Sequence, residues 1–328
     1  IRQGVYYENI TLSNLDASAG NKTLITNYNG EQVVIDGTVP VTGSWTDETI
    51  GSTSVKKLES FSSNISQLFV GNNQMVMARW PNAKFSDLTI YDHDNWAEGV
   101  ESGSTTTSII IDESVENPAS LSLTNSIGIL NVGSFKTFNR VINVHTQQAG
   151  NDVVAFSTQI PDNDFKDKHF NFFFEGKKEF IDTENEWSLD YNSNVLYLKP
   201  AAGVDLSSTT IRGKVRDYSL TITGSEFLKV QGLTFFATTI LAQGSNNLEI
   251  ESCNFYYPSH SRRMLGSTSG AFATSLGSGS GSSVRVDSST VSGCLFIDTE
   301  GEALVVYGDN NTISSSYFSK FKYIFFVF

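Results

Sequence analysis

Cysteine, charged residues and long apolar runs are all scarce in this sequence. Two cysteines in 328 residues exclude a disulfide framework and a cysteine-based metal cluster. Charged residues make up only 17% of the chain, which suits an all-β protein better than a helical one. No apolar run of membrane length and no signal-peptide pattern occurs. We therefore expect an all-β chain whose length suggests about two domains.

Basic residues are also few, since 22 Lys and Arg face 35 Asp and Glu, giving a net charge of −13. Proteins that hold nucleic acid or anionic membranes present a basic stripe, and here only short pairs such as Arg262-Arg263 and Lys177-Lys178 occur. Glycine-rich phosphate loops, zinc-ligand spacings and serine nucleophile elbows are missing too. We expect a monomer without nucleic-acid or membrane partners and without a cofactor, which binds a neutral or weakly charged ligand.

One short phrase returns four times in the C-terminal third. Each copy has a β-branched residue, a small residue two positions on, and Phe three positions after that. The copies are Val230–Phe235, Ile250–Phe255, Val291–Phe296 and Ile313–Phe318, and their starts differ by 20, 41 and 22 residues. Steps near 20 are typical of one coil of a solenoid, and we interpret the longest step as two coils, the second with an insertion.

A second repeated piece lies between these phrases. Residues 244–247 read GSNN and residues 308–311 read GDNN, and both Gly and Asn accept left-handed backbone angles. Two strands and a tight turn per repeat of about 20 residues predict a right-handed parallel β-helix. The alternative, an antiparallel sandwich, would not keep the small residue and the Phe in register. A parallel β-helix predicts that the β-branched residues stack in one interior column. It predicts a second interior column formed by Phe235, Phe255, Phe296 and Phe318.

The two cysteines, Cys253 and Cys294, both follow the small residue of their repeat. We predict stacked interior thiols, with a disulfide between coils as the alternative.

The repeat rhythm divides the chain into three segments. Residues 1–37 are predicted to form the first coil or coils, residues 38–217 an inserted β-sandwich, and residues 218–328 the rest of the β-helix. Within the insert, the polar segment Tyr91–Asn117 is predicted to be a long surface loop. The chain begins inside a coil and ends on an apolar stretch, Tyr323–Phe328, so we expect it to be part of a longer protein, truncated at the C-terminus.

Three stretches of the insert support a resemblance. They are QLFVGNNQMVMARWPNA (67–83), HFNFFFEGKKEFIDTENEWSLD (169–190) and VLYLKPAAGVDL (195–206). Followed by a solenoid, they resemble the right-handed parallel β-helix carbohydrate-active proteins with an embedded β-sandwich, such as the β-helical glycoside hydrolases. The resemblance implies a pectin lyase-like fold and a polysaccharide or oligosaccharide ligand. It is specific for architecture and weak for substrate.

Substrate binding is predicted in the largest excursion of the repeat, residues 256–283. Tyr256, Tyr257, His260, Arg262 and Arg263 combine rings, on which sugars stack, with polar groups for sugar hydroxyls. The alternative is a flexible Gly/Ser loop with solvated arginines.

Catalytic groups are predicted in the acidic segment Asp298, Glu300 and Glu302, interpreted as a corner between two strands. Glycoside hydrolysis needs one protonated and one ionised carboxyl group. The alternative is a solvated turn, with the true pair beyond Phe328. His93, His145 and His169 have no second metal ligand at useful spacing and are interpreted as structural.

The favoured function is a secreted or cell-surface glycoside hydrolase, extracellular or periplasmic, that acts on a plant or algal polysaccharide. A polysaccharide lyase would instead use Arg262, Arg263, His260 and Tyr256, with the acids able to hold calcium. A non-catalytic carbohydrate-binding or adhesive protein is the third possibility.

Overall fold

The computed structural model describes residues 1–118, 120–133, 136–147, 150–165, 170–262, 270–271, 274–278, 281 and 283–323. Within this part the chain is all-β, and its helical segments are short 3-10 turns at Tyr28–Gly30, Thr89–Tyr91, His93–Asn95 and Lys178–Phe180. Contacts between Cα atoms divide the chain into two compact units. Unit 1 contains Ile1–Val39, Gly213–Arg262 and the chain from Ala271, and unit 2 is formed chiefly by Pro40–Arg212.

The strands are numbered in chain order. Up to the end of unit 2 they are β1 Gly4–Tyr6, β2 Ile10–Ser13, β3 Thr23–Thr26, β4 Val33–Asp36, β5 Thr38–Pro40, β6 Thr46–Ile50, β7 Thr53–Leu58, β8 Leu68–Val70, β9 Asn73–Met77, β10 Arg79–Trp80, β11 Ala97–Thr105, β12 Ser108–Ile111, β13 Ile127–Gly133, β14 Lys136–Val141, β15 Val144–Thr146, β16 Val153–Ala155, β17 Asn171–Glu175, β18 Glu186–Asp190, β19 Val195–Lys199 and β20 Ile211–Lys214. The remaining strands are β21 Tyr218–Thr223, β22 Leu228–Gln231, β23 Thr234–Phe236, β24 Thr239–Gln243, β25 Ser245–Asn246, β26 Glu249–Glu251, β27 Asn254–Tyr256, β28 Ser261–Arg262, β29 Gly270–Ala271, β30 Thr274–Leu276, β31 Val286–Asp287, β32 Thr290–Ser292, β33 Leu295–Glu302, β34 Leu304–Val306, β35 Thr312–Ser314 and β36 Tyr317–Tyr323.

Unit 1 is built from three parallel sheets that the chain visits in the same order in every repeat. The sheets are β2-β21-β24-β30-β34, β3-β22-β26-β32-β35 and β1-β4-β23-β27-β33-β36. Strands β2, β3 and β4 pair in parallel with β21, β22 and β23, although all of Pro40–Arg212 lies between the two groups in the chain. The N-terminal segment is therefore the neighbour of the first repeat after unit 2, as a long insertion predicts.

The predicted interior columns are confirmed. Val230, Ile250, Val291 and Ile313 are successive partners in one parallel ladder. The four repeat Phe residues are successive partners in another. Their rings stack at centroid distances of 4.9, 4.6 and 4.9 Å and interplanar angles of 8° or less. This apolar stack forms the centre of the unit 1 core.

The small residue of each repeat has a backbone reason. Gly232, Ser252, Gly293 and Ser315 have φ of +68°, +51°, +62° and +51°, so each supplies a left-handed residue between two strands. Only Gly adopts that region without steric cost, and a short polar side chain tolerates it best after Gly. The GSNN and GDNN turns follow the same rule, since Asn247 and Asn310 have φ of +54° and +57°.

One part of the repeat interpretation was wrong. Ile250 is the direct ladder partner of Val291, so the longest step between copies is one enlarged repeat and not two. The extra residues leave the repeat after Tyr257. The strands before and after them still pair, because a parallel ladder needs only main-chain partners in register and not a fixed length of connecting chain.

The cysteines are free and buried in unit 1. The Sγ of Cys253 lies 3.4 Å from the Glu251 oxygen and that of Cys294 lies 3.4 Å from the Ser292 oxygen. The prediction of interior thiols is confirmed. A hydrogen bond with Cys294 and burial both raise the pKa of the Cys253 thiol.

Unit 2 contains two larger sheets with mainly antiparallel pairing. One has the order β14-β13-β17-β11-β12-β16-β15, with β10 paired to β17, and the other the order β5-β20-β8-β9-β18-β19-β7-β6. Residues of both sheets share one apolar cluster, in which Val55 and Tyr197 join Phe172 and Phe174. The prediction of a long surface loop at Tyr91–Asn117 was wrong, because this segment contains β11 and β12. Strand β12 buries Ile109 and Ile111. The apolar run that contains them is only three residues long and lies among polar residues, so the sequence pattern did not reveal the strand.

Candidate functional site

The acidic segment belongs to a strand and not to a corner. Strand β33 runs through it, and its pairing with β36 continues to Thr299↔Phe321 and Glu302↔Tyr323. Thr299 and Gly301 are buried, while Asp298, Glu300 and Glu302 are partly exposed. Asp298 has φ of +56°, so a single left-handed residue makes the bend and the strand resumes. The expected corner is therefore only a bend at Asp298 within the strand.

The excursion with the predicted binding residues leaves the neighbouring repeat at the equivalent position. Tyr257 lies two residues after Phe255, as Asp298 lies two residues after Phe296, and both have left-handed φ. The Tyr257 N–H donates to the Ile297 oxygen at 3.0 Å. Both candidate segments therefore begin at equivalent positions of adjacent repeats. The Tyr257 ring packs edge to face on Phe236 at 5.6 Å, and Tyr256 is the ladder partner of Ile297.

Lys214, which the sequence did not single out, lies at the centre of a charged cluster. Its side chain is fully buried, and its Nζ donates to the main-chain oxygens of Tyr257 and Pro258, both at 3.4 Å. Burial lowers the pKa of Lys214 to about 8, against the opposing charges of Asp217 and Glu300. Lys214 is therefore a cation at neutral pH that loses its charge in mildly alkaline solution.

Asp217 brings His260 into the same cluster. Its Oδ1 lies 3.6 Å from the His260 Nδ1, within ion-pair distance. The Asp217 side chain is 34% exposed, whereas that of His260 is 6% exposed. The Asp217 main-chain oxygen accepts hydrogen bonds from the Thr239 N–H at 3.1 Å and the Thr238 hydroxyl at 3.2 Å, which fix this residue on the fold. Asp217 thus presents a solvent-accessible carboxylate in front of a buried imidazole.

A buried hydroxyl lies next to this cluster in the sequence. Ser259 stands between Pro258, whose oxygen binds Lys214, and His260. Its Oγ is buried and has no hydrogen-bond partner within the described ranges. Buried polar groups are usually paired, so an unpaired one marks a place where structure alone does not explain the residue.

The other predicted residues are placed differently. The Asp298 carboxylate forms an ion pair with the Lys320 Nζ at 3.2 Å. Glu302 lies two residues beyond Glu300 on the same strand. Arg262 lies in the two-residue strand β28, and Arg263 falls outside the described residues. The structure thus joins Glu300 and His260 to Lys214 and Asp217, and it ties Asp298 to a lysine of its own.

Two residues of the cluster, Lys214 and Asp217, escape sequence reasoning. The run Lys-Val-Arg-Asp at 214–217 begins with the last residue of strand β20, and the lysine at the end of that strand is the one available signal. By its pattern alone, the run marks only the end of the insert.

The histidines of unit 2 have structural surroundings where they are described. The His145 Nε2 lies 3.0 Å from the Asp152 Oδ2, and the His145 Nδ1 accepts a hydrogen bond from the Leu123 N–H at 3.2 Å. His93 packs edge to face on Trp96 at 4.8 Å, and His169 lies outside the described residues. Across the described ranges no three His, Cys, Asp or Glu side chains converge as metal ligands. Nor does any helix there have the length and apolarity needed to cross a membrane.

Comparisons with known proteins inform the fold only. No family model matches the sequence, and no curated protein matches it either. A solved structure described as "Glycoside hydrolase" superposes with a TM-score of 0.65 at 16% identity, over 93% of this chain and 59% of that chain. Another, described as "The complex structure of XylC with xylose", gives a TM-score of 0.46 at 12% identity, over 96% of this chain and 47% of that chain, and supports no argument. This chain therefore shares a fold with the first of these structures and spans 59% of its length.

Proposed function

We propose that unit 1 forms a right-handed parallel β-helix and that unit 2 forms an embedded β-sandwich, within a few residues of the bounds 1–37, 38–217 and 218–328 expected from the sequence. Three parallel sheets visited in constant order, with stacked interior columns, support the β-helix. Two sheets that share an apolar cluster support the sandwich.

We further propose that the protein is a secreted or cell-surface glycoside hydrolase acting on a plant or algal polysaccharide or its oligosaccharides. The observation on which this rests is geometric: the buried Lys214 Nζ donates to the Tyr257 and Pro258 oxygens, and the Tyr257 N–H donates to the Ile297 oxygen, three residues before Glu300. The charges of Asp217 and Glu300 both favour the cationic form of Lys214. Both acids are partly exposed, so a substrate can reach them. The fold shared with a structure described as a glycoside hydrolase agrees with this proposal.

The two acids have different surroundings, which suggests their roles. Asp217 faces His260 in addition to Lys214, and it is proposed as the carboxylate that acts in its ionised form. Glu300 is proposed as the general acid, the residue of the pair that donates a proton in the reaction. In the reaction Glu300 gives this proton to the glycosidic oxygen as the bond from that oxygen to the anomeric carbon breaks. The ionised Asp217 faces the positive charge that develops at the anomeric carbon. Water then supplies a hydroxyl to that carbon, and its remaining proton passes to a carboxylate of the pair.

Lys214 is proposed as a positioning residue, because its buried Nζ contacts main-chain oxygens and not solvent. It fixes Tyr257 and Pro258, where the predicted binding segment begins. Tyr256 and Tyr257 are proposed to contact the sugar through their partly exposed rings. We place hydrolysis ahead of elimination because His260, a candidate base for a lyase, is buried behind Asp217.

The test compares Glu300→Gln and Asp217→Asn with the control Glu302→Gln in the longest chain that expresses. Loss of an acid or base commonly removes about 10²-fold or more of the turnover. Both cluster variants should lose at least that much on polysaccharide substrates, with melting temperatures near that of the parent. Glu302→Gln, on the same strand, should keep its activity.

The products identify the reaction. Hydrolysis gives new reducing ends without unsaturation, whereas elimination gives unsaturated uronates. Unsaturated products, or full turnover in both cluster variants, would overturn the proposed site. Binding without any product would favour the adhesive alternative.

A further inference from the structure

Unit 2 has a pocket of its own, formed entirely by residues between Pro40 and Ile211. Its volume is about 770 Å³, within the usual range for small-molecule sites. One wall is the loop Val41–Trp45, together with Lys56. The other wall is the segment Val204–Ser207 with Thr209–Ile211. None of these residues belongs to the charged cluster of unit 1.

The loop that forms one wall is fixed by close main-chain contacts. The Val41 N–H donates to the Ile211 oxygen at 2.8 Å, which ties the two walls together. Gly43 has φ of +145°, and a Cβ built on it would lie 2.5 Å from the Leu58 Cδ1. The φ of Gly43 favours glycine, and the missing Cβ lets the loop lie against Leu58 without displacing its methyl group. This approach leads the chain to Trp45, which packs on the same apolar cluster as Leu206.

Trp45 differs from the other tryptophans of the chain. Trp80, Trp96 and Trp187 are buried, whereas Trp45 is half-exposed at the pocket wall. Its Nε1–H makes no hydrogen bond within the described residues. A partly exposed indole with a free donor offers both an apolar face and a polar edge to a ligand.

Hydroxyl groups surround the indole. The side chains of Thr42, Ser44, Thr209 and Thr210 line the pocket, and their hydroxyls make no hydrogen bond inside the described part of the chain. Hydroxyls both donate and accept, as sugar hydroxyls do. An aromatic face ringed by such groups suits a pyranose, whose C–H face stacks on a ring while its hydroxyls form hydrogen bonds.

The two charged residues that line the pocket, Lys56 and Asp205, have partners of their own. The Lys56 Nζ forms an ion pair with the Asp47 Oδ1 at 2.6 Å. The Asp205 Oδ1 accepts hydrogen bonds from the Ser207 N–H at 2.9 Å and the Ser207 hydroxyl at 2.7 Å, and these bonds lower the pKa of Asp205. An anionic ligand would meet the ionised Asp205 and would find Lys56 already paired, so the pocket favours a neutral glycan over an acidic one.

We propose that this pocket is a second, non-catalytic carbohydrate site that binds neutral oligosaccharides by stacking on Trp45. It is independent of the proposed hydrolysis, because it lies in unit 2 and uses none of Lys214, Asp217 and Glu300. Its role is to hold the protein on a neutral glycan.

The experiment measures binding of xylohexaose and cellohexaose to the whole chain carrying Glu300→Gln, with trigalacturonate as the charged probe. Calorimetry gives affinity, and tryptophan fluorescence reports on Trp45, since the other tryptophans are buried. Trp45→Ala should weaken binding of a neutral probe at least tenfold and remove the ligand-dependent fluorescence change. Trp45→Phe, which keeps a ring, should recover part of the affinity.

Two further variants keep the test independent of folding. Thr210→Arg, at an exposed residue, fills the pocket without removing core packing and should also abolish binding. Tyr191→Ala removes an exposed aromatic elsewhere in unit 2 and should bind as the parent does. The proposal is overturned if no neutral probe binds the parent, if Trp45→Ala and Thr210→Arg bind normally, or if trigalacturonate binds as tightly as the neutral probes. Failure of hydrolysis alone leaves these binding results unchanged, so the two proposals can fail separately.

Discussion

Glu186 in unit 2 should make stability depend on pH. Burial raises the pKa of this carboxyl to about 7, although the N–H groups of Thr183 and Asp182 donate to its Oε2 at 3.1 and 3.0 Å. Its Oε1 is buried without a hydrogen-bond partner in the described part of the chain. The charged form is therefore penalised in the folded state.

The sign follows from the raised pKa. The unfolded chain loses this proton near pH 4.5 and the folded chain near pH 7, so the folded state binds more protons between these values. The contribution of Glu186 to the free energy of unfolding is therefore most favourable below pH 4.5 and decreases as the pH rises to about 7. A shift from 4.5 to about 7 corresponds to a total penalty of roughly 3 kcal/mol.

Glu186→Gln keeps the shape and an acceptor for both N–H groups but cannot titrate. The free-energy difference between variant and parent should therefore change by about 2.5 kcal/mol between pH 5 and pH 8, in favour of the variant at pH 8, because part of the penalty is already present at pH 5. The nearby buried Arg79 has its pKa lowered to about 10 by burial, so it stays charged throughout this range. The variant removes one acidic neighbour of Arg79. Because Arg79 keeps its charge, this changes the free energy of unfolding of the variant by the same amount at every pH in the range.

The assay is urea unfolding followed by tryptophan fluorescence. All four tryptophans lie between residues 45 and 187, so the signal reports on unit 2 alone. The control is Glu184→Gln, an exposed acid two residues away. A raised pKa at Glu186 is contradicted if the free-energy difference between Glu186→Gln and the parent stays constant within about 0.5 kcal/mol from pH 5 to pH 8, or if the control shows the same change.

Two predictions concern unit 1. Phe255→Ala removes the second ring of the interior stack and should cost about 3–5 kcal/mol by calorimetry, whereas the exposed Tyr317→Ala should change little. An equal effect of both would show that the stack does not support the fold. Lys214→Met removes the buried cation, so turnover should fall about tenfold or more, and the loss of activity that we expect in the parent above about pH 8 should disappear. Lys229→Met, which removes a lysine paired with Glu251, is its control; an unchanged alkaline limb in Lys214→Met would contradict a role for this cation.

The proposed site was only half visible in the sequence. Glu300 and His260 stood out because acids and a histidine beside aromatics are chemically conspicuous. Lys214 and Asp217 did not, because a charged run at the end of a strand has the same composition whether it is a solvated boundary or contains a buried cation. The difference depends on which main-chain oxygens face the lysine, and those belong to Tyr257 and Pro258, which are distant in the chain.

The sequence by itself determined the features that repeat locally. A left-handed residue is needed between two strands of each repeat, and only Gly or a short polar residue satisfies it cheaply, so Gly232, Ser252, Gly293 and Ser315 recur. The Phe residues recur because each must stack on the one before. Only the tertiary structure decided which repeats are neighbours. Ladder pairing joins Ile250 to Val291 across the enlarged repeat, and the N-terminal strands to β21–β23 across the whole of unit 2, since stacking depends on strand register and is indifferent to the length of chain inserted between.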